Sequence, residues 1–128
     1  MEQITEHFSR KEFDCHDGTP VPDQYQGNLL ELCKNLEVLR AHLGKPILIT
    51  SGFRSKSWNK KQGGATSSQH LTASAADIKI PGVSTSVLAH TIEALIGEGK
   101  MKQGGIGVYN SWVHYDIRGT KARWDFRK

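Results

Sequence analysis

Val113, Tyr115 and Ile117 alternate one for one with Trp112, His114, Asp116 and Arg118 near the end of the chain. Successive side chains on a strand point to opposite faces, so a strand sorts these residues into an apolar set and a set carrying His114, Asp116 and Arg118. A helix would scatter both sets around its circumference, and the period of two therefore predicts a half-buried strand. Gly105-Ile106-Gly107-Val108-Tyr109 precedes it across Asn110-Ser111, which predicts a hairpin. The chain must then build a sheet with one face on a core and the other turned to a cleft or to water.

The core has clear suppliers. Leu29, Leu32, Cys33, Leu36, Leu39 and Leu43 recur at three- and four-residue steps, predicting a helix over 28–43 with one apolar face, Asn28 as its cap and Gly44 after its end. A second long helix opens at Ser84 or Thr85, turns Val87, Leu88, Ile92, Leu95 and Ile96 inward, and stops at Gly97 and Gly99. Ser9 and Glu12 form a capping box, with Phe8 and Phe13 placed as its hydrophobic staple. Short strands are predicted at 46–52 and 76–80, separated by a polar loop with one helical turn near 57–61. With helices mainly first and the hairpin last, the expectation is an α+β fold. It is a single domain over 1–128, with a small antiparallel sheet and helices packed on one side.

Composition narrows the function. No apolar run approaches the length of a membrane span. The net charge of +4 and pI near 9.2 permit a polyanionic partner, but the charge is scattered rather than arranged in the basic stripe that nucleic acid requires. The densest patch, KARWDFRK at the C-terminus, reads as a solvated tail. Cys15 and Cys33 are too few for a cysteine zinc motif and Cys33 belongs to the apolar helix face. No Gly-x-Ser-x-Gly elbow is present, and Gly63-Gly64 lacks the following Lys-Ser/Thr of a phosphate loop.

The stretch SSQHLTASAADI places His70 and Asp77 on either side of small residues. With His114 they offer two nitrogens and one oxygen. A catalytic zinc usually takes three such ligands and leaves a fourth position open. Asp116, two residues past His114 on the same strand face, is the candidate general base. Trp112 and Trp124 are candidates to wall a groove, whereas His7, His16, His42 and His90 have no ligand-like neighbours in sequence.

These residues sit in three motifs: ITSGFRS at 49–55, NKKQGGATSSQHLTASAADIKIPG at 59–82 and GGIGVYNSWVHYDIRG at 104–119. Together with HFSRKEFDCHDGTPVP at the front end, they resemble the zinc D-Ala-D-Ala carboxypeptidase family of peptidoglycan peptidases, within the Hedgehog/DD-peptidase fold. The resemblance runs over roughly residues 7 to 126. It implies one zinc ion held by His70, Asp77 and His114, and Arg54 turned toward substrate as a catalytic group. It further implies that Ser68, Gln69 and Trp112 shape the substrate pocket. The implied activity is hydrolysis of amide bonds in peptidoglycan stem peptides, as a D,D-carboxypeptidase or an endopeptidase, by a monomer. The alternative is a catalytically inactive zinc-containing module that binds the cell wall. The N-terminus lacks a leader pattern, so the expectation is a protein made in the cytoplasm that reaches the wall as a phage-borne or leaderless enzyme. Two positions depart from the family pattern: Ala73 stands where Gly is usual, and Ser111 where several relatives carry Glu.

Overall fold

The computed structural model describes residues 2–128. A two-stranded ribbon, β1 (Gln3–Thr5) and β2 (Phe8–Ser9), opens the chain. One 3-10 turn follows, Arg10–Phe13, in which the Glu12 carboxylate accepts from the Ser9 N–H at 2.8 Å. The Phe8 and Phe13 rings meet edge to face with centroids 6.1 Å apart. The remaining elements are α1 (Gln26–Leu43), β3 (Leu48–Ser51), α2 (Lys56–Lys61), β4 (Ala75–Lys79), α3 (Thr85–Gly97), β5 (Gly105–Val108), β6 (Val113–Asp116) and β7 (Ala122–Asp125).

Strands β3 to β7 form one sheet in the order β3-β4-β6-β5-β7. Asp77 of β4 lies opposite His114 of β6, His114 opposite Gly107 of β5, and Gly107 opposite Trp124 of β7. These four residues make one row across the sheet, on one face. On the other face, Ile78, Val113, Tyr115 and Ile106 pack with Leu29, Leu32, Leu36 and Leu39 of α1 and with Leu88, Ile92 and Leu95 of α3, all buried. Each such fully buried aliphatic side chain contributes about 1.5–3 kcal/mol. The row carrying His114 is therefore backed directly by the hydrophobic core. The α+β architecture agrees with the sequence reading.

Three local expectations are corrected. The first long helix starts at Gln26, because a 3-10 turn over Asp23–Tyr25 runs straight into it. Asn28 is thereby freed from capping, and its Nδ2 donates to the Thr72 carbonyl at 3.0 Å. The far end behaves as predicted: Gly44 takes the left-handed conformation (φ +66°) and its N–H returns to Arg40 O. Val87 is 54% exposed, because the inward face of α3 centres on Leu88, Ile92 and Leu95. The C-terminal patch is not a free tail. Residues 122–125 pair in parallel with β5, so the sheet is mixed rather than wholly antiparallel. Cys15 and Cys33 are both buried and free. No helix among the described residues is long and apolar enough to cross a membrane.

Candidate metal centre

Opposed residues on neighbouring strands project to the same side, and the Asp77–His114 pair obeys this. His114 Nδ1 lies 3.4 Å from Asp77 Oδ1. His70 arrives from a 3-10 turn, Gln69–Thr72, whose start is fixed by the Ser68 hydroxyl accepting from the His70 N–H at 3.2 Å. Ala73, left-handed at φ +57°, then swings the chain into β4. The result brings His70 Nε2 to 3.4 Å from the same Asp77 oxygen. All three side chains are buried, and their ligand atoms form one cluster.

The other nitrogen of each ring is already used. His70 Nδ1 is 2.7 Å from the Gly52 carbonyl, so Nδ1 carries the proton and the Nε2 lone pair faces the cluster. His114 Nε2 is 2.6 Å from Asp116 Oδ2, which leaves the Nδ1 lone pair facing inward. Such outer partners fix tautomer and ring angle in metal sites. Ligands about 2.0–2.1 Å from a tetrahedral zinc lie ~3.3–3.4 Å from one another. The two 3.4 Å separations match, and the donor set of two imidazoles and a carboxylate suits zinc. The residues present fit the ion.

Electrostatics agree. Burial pushes the Asp77 carboxyl up, but His114 and His70 outweigh burial and hold it well below the ordinary carboxylate range. Its second oxygen, Oδ2, lies 3.3 Å from Arg54 Nη2. Arg54 is carried from β3 toward the cleft, and its Nη1 reaches Asn59 Oδ1 at 3.4 Å.

Asp116 is placed differently from the sequence expectation. It is 0% exposed. Its Oδ1 accepts from the Gly105 N–H at 2.9 Å, the Arg118 N–H at 3.1 Å and Arg118 Nε at 2.9 Å. Its Oδ2 faces His114 Nε2 and accepts from Arg118 Nη2 at 2.7 Å. Burial raises this carboxyl too, yet His114, Arg118 and Gly105 hold it below the usual range. No lone pair is left for a proton from the cleft. Asp116 is thus engaged within the fold, with Oδ2 on the His114 ring rather than open to the cleft.

The cluster forms the floor of an open cleft of about 790 Å³. Ser68, Gln69 and Trp112 line it as expected, together with Arg54, Tyr109 and Trp124. Trp112 stacks on Tyr109 with centroids 4.6 Å apart and planes 12° from parallel. Asp77 is the single carboxylate among the described lining residues, and Ser111 lies outside the cleft.

Sequence reasoning missed four contributors. Asn59 is buried, and its Nδ2 donates to the Ala65 carbonyl at 2.9 Å, tying the cleft loop to Arg54. Gly52 supplies its carbonyl to His70. Gly104 and Gly105 leave room for Asp116, since a Cβ on either would collide with it; the GG pair at 104–105 was the available signal. His7, expected to lack ligand-like partners, lies beside Glu37 at 2.7 Å and Glu6 at 3.3 Å. Both its ring nitrogens are occupied by those carboxylates, in a surface cluster away from the cleft.

The family model for Peptidase M15 matches residues 6–116, a stretch that contains Arg54, His70, Asp77, His114 and Asp116. A comparison with curated proteins returned no match. The match covers most of the chain and includes all three residues of the cluster, so the chain belongs to the Peptidase M15 family of zinc D-Ala-D-Ala carboxypeptidase-like peptidases.

Proposed function

We propose that the protein holds one zinc ion on His70, Asp77 and His114 and hydrolyses amide bonds inside peptidoglycan stem peptides, as an endopeptidase. The observation that carries this reading is the convergence of three lone pairs, with both distal ring nitrogens pinned, at the floor of an open cleft. When bound, zinc supplies Lewis acidity, which polarises a carbonyl and acidifies water. The chain's own residues do the rest. Asp116 keeps His114 in the ligating tautomer. Arg54 presents its guanidinium beside Asp77, where it donates to the oxygen on which charge develops. Ser68 and Gln69 offer polar groups to the substrate backbone, and Trp112 supplies an apolar wall.

One feature favours an internal bond over a terminal one. Trp112 lies two residues before His114, immediately ahead of β6, about 7 Å along the wall, so the groove continues beyond the metal position. One observation favours a second reading, a zinc-containing wall-binding module without turnover: among the described residues, no carboxylate besides Asp77 lines the cleft to carry a proton.

Metal content and muropeptide digestion, measured on one preparation beside His114→Ala, separate these readings. The endopeptidase predicts stoichiometric zinc, cleavage of cross-linked muropeptides without trimming of terminal D-Ala, and loss of both zinc and cleavage in the variant. Zinc with wall binding but no cleavage establishes the binding module. A wild-type protein that takes up no zinc ends both.

A further inference from the structure

The row Asp77–His114–Gly107–Trp124 has a gap at its third position. Gly107 has no side chain, and a Cβ there would collide with the Trp124 indole. Trp124 therefore leans across Gly107 and covers the His114 ring, with centroids 4.8 Å apart and planes at 50°. Its Nε1–H donates to Tyr109 Oη at 2.9 Å, which fixes the lean. Arg118 sits with its guanidinium carbon 5.7 Å from the Trp124 ring centroid, and the same guanidinium grips Asp116. His114, Asp116, Arg118 and Trp124 thus close a circuit. The strand that delivers Trp124 is anchored to α3 by the Arg123–Glu93 ion pair at 2.6 Å. That strand lies outside the matched stretch, which ends at residue 116.

We infer that β7 completes the metal centre and that Trp124 is a positioning residue for His114. The inference rests on His114 being a zinc ligand. The indole excludes water from one face of the imidazole, and a charge-assisted hydrogen bond such as His114–Asp116 is stronger where water is excluded. It also blocks rotation of the ring away from the cluster. Without it, His114 samples other orientations and tautomers, and the loss falls on metal affinity, by roughly 10–100-fold as for other outer partners of metal ligands.

The test measures zinc affinity by chelator competition, and the His114 tautomer by long-range ¹H–¹⁵N spectra of the metal-free protein. The variants are Trp124→Ala, Trp124→Phe, Gly107→Ala and the double Gly107→Ala/Trp124→Ala. The inference expects Trp124→Ala to bind zinc 10–100-fold more weakly with unchanged circular dichroism, and its His114 signals to shift toward a tautomer mixture. Trp124→Phe should restore most of the affinity. Gly107→Ala, which displaces the indole, should act like Trp124→Ala and add nothing in the double variant. Wild-type affinity and an unchanged His114 spectrum in Trp124→Ala overturn it. Should Trp124→Ala fail to fold, Gly107→Ala decides by the same criteria. If the wild type binds no zinc, the functional reading fails separately, and the His114 spectra still decide whether Trp124 positions the ring.

Discussion

Asp116 spends both carboxylate oxygens on its own strand, the neighbouring strand and His114. Asp116→Asn keeps the shape but turns an amide toward donors, so zinc affinity should fall about 10–100-fold, measured by chelator competition. A general base would instead lose turnover and keep its zinc. Alternation places His114 and Asp116 on one face without saying which way each side chain bends, so this arrangement was not legible in advance. The bend depends on the space left by Gly104 and Gly105, eleven residues or more away in the chain. The three residues of the cluster were legible, since their chemistry resides in residue type and order. Ala73, standing where Gly is usual, adopts a positive φ while 1% exposed. Relief of a left-handed residue is worth ~1–2 kcal/mol. Losing a buried methyl costs ~0.8 kcal/mol, and a freer unfolded chain ~0.4–1 kcal/mol. Ala73→Gly should therefore change stability by less than about 1 kcal/mol in urea unfolding, with a functional cluster retained.

At the scale of elements, the two long helices and the hairpin could be read because each carries a sustained period. Strand β7 could not. KARWDFRK has too few apolar residues to show an alternation, and its partners are distant: Glu93 for Arg123, Gly107 for Trp124. The ion pair to α3 yields a pH prediction. Arg123 holds the Glu93 carboxyl below its ordinary value of 4.5. The fold thus favours the ionised form, so this stabilisation is full above that value and disappears as pH falls through the lowered one. Glu93 is 43% exposed, and solvent screening keeps the contribution under about 1 kcal/mol. Glu93→Gln should be slightly less stable than wild type at pH 7, and the gap should close as pH is lowered past 4.5. Paired urea titrations across that range check it.

For the molecule as a whole, the metal cluster joins a loop turn to two central strands. His70 comes from 69–72, Asp77 from β4 and His114 from β6, and only the folded chain brings the three lone pairs together. An ion bound there stabilises the native state by mass action: at a hundred times its Kd, by ~2.7 kcal/mol. For a chain of this size that raises Tm by roughly 8–13 °C, and a chelator should reverse it. The surface cluster Glu6–His7–Glu37 offers a control within the same molecule. If the cleft holds the ion, His114→Ala abolishes the zinc-dependent shift and His7→Ala leaves it intact. The opposite pattern would place the ion at the surface, where His7 already has a carboxylate on each ring nitrogen. The thermal shift therefore assigns zinc to the sheet or to the surface without reference to any substrate.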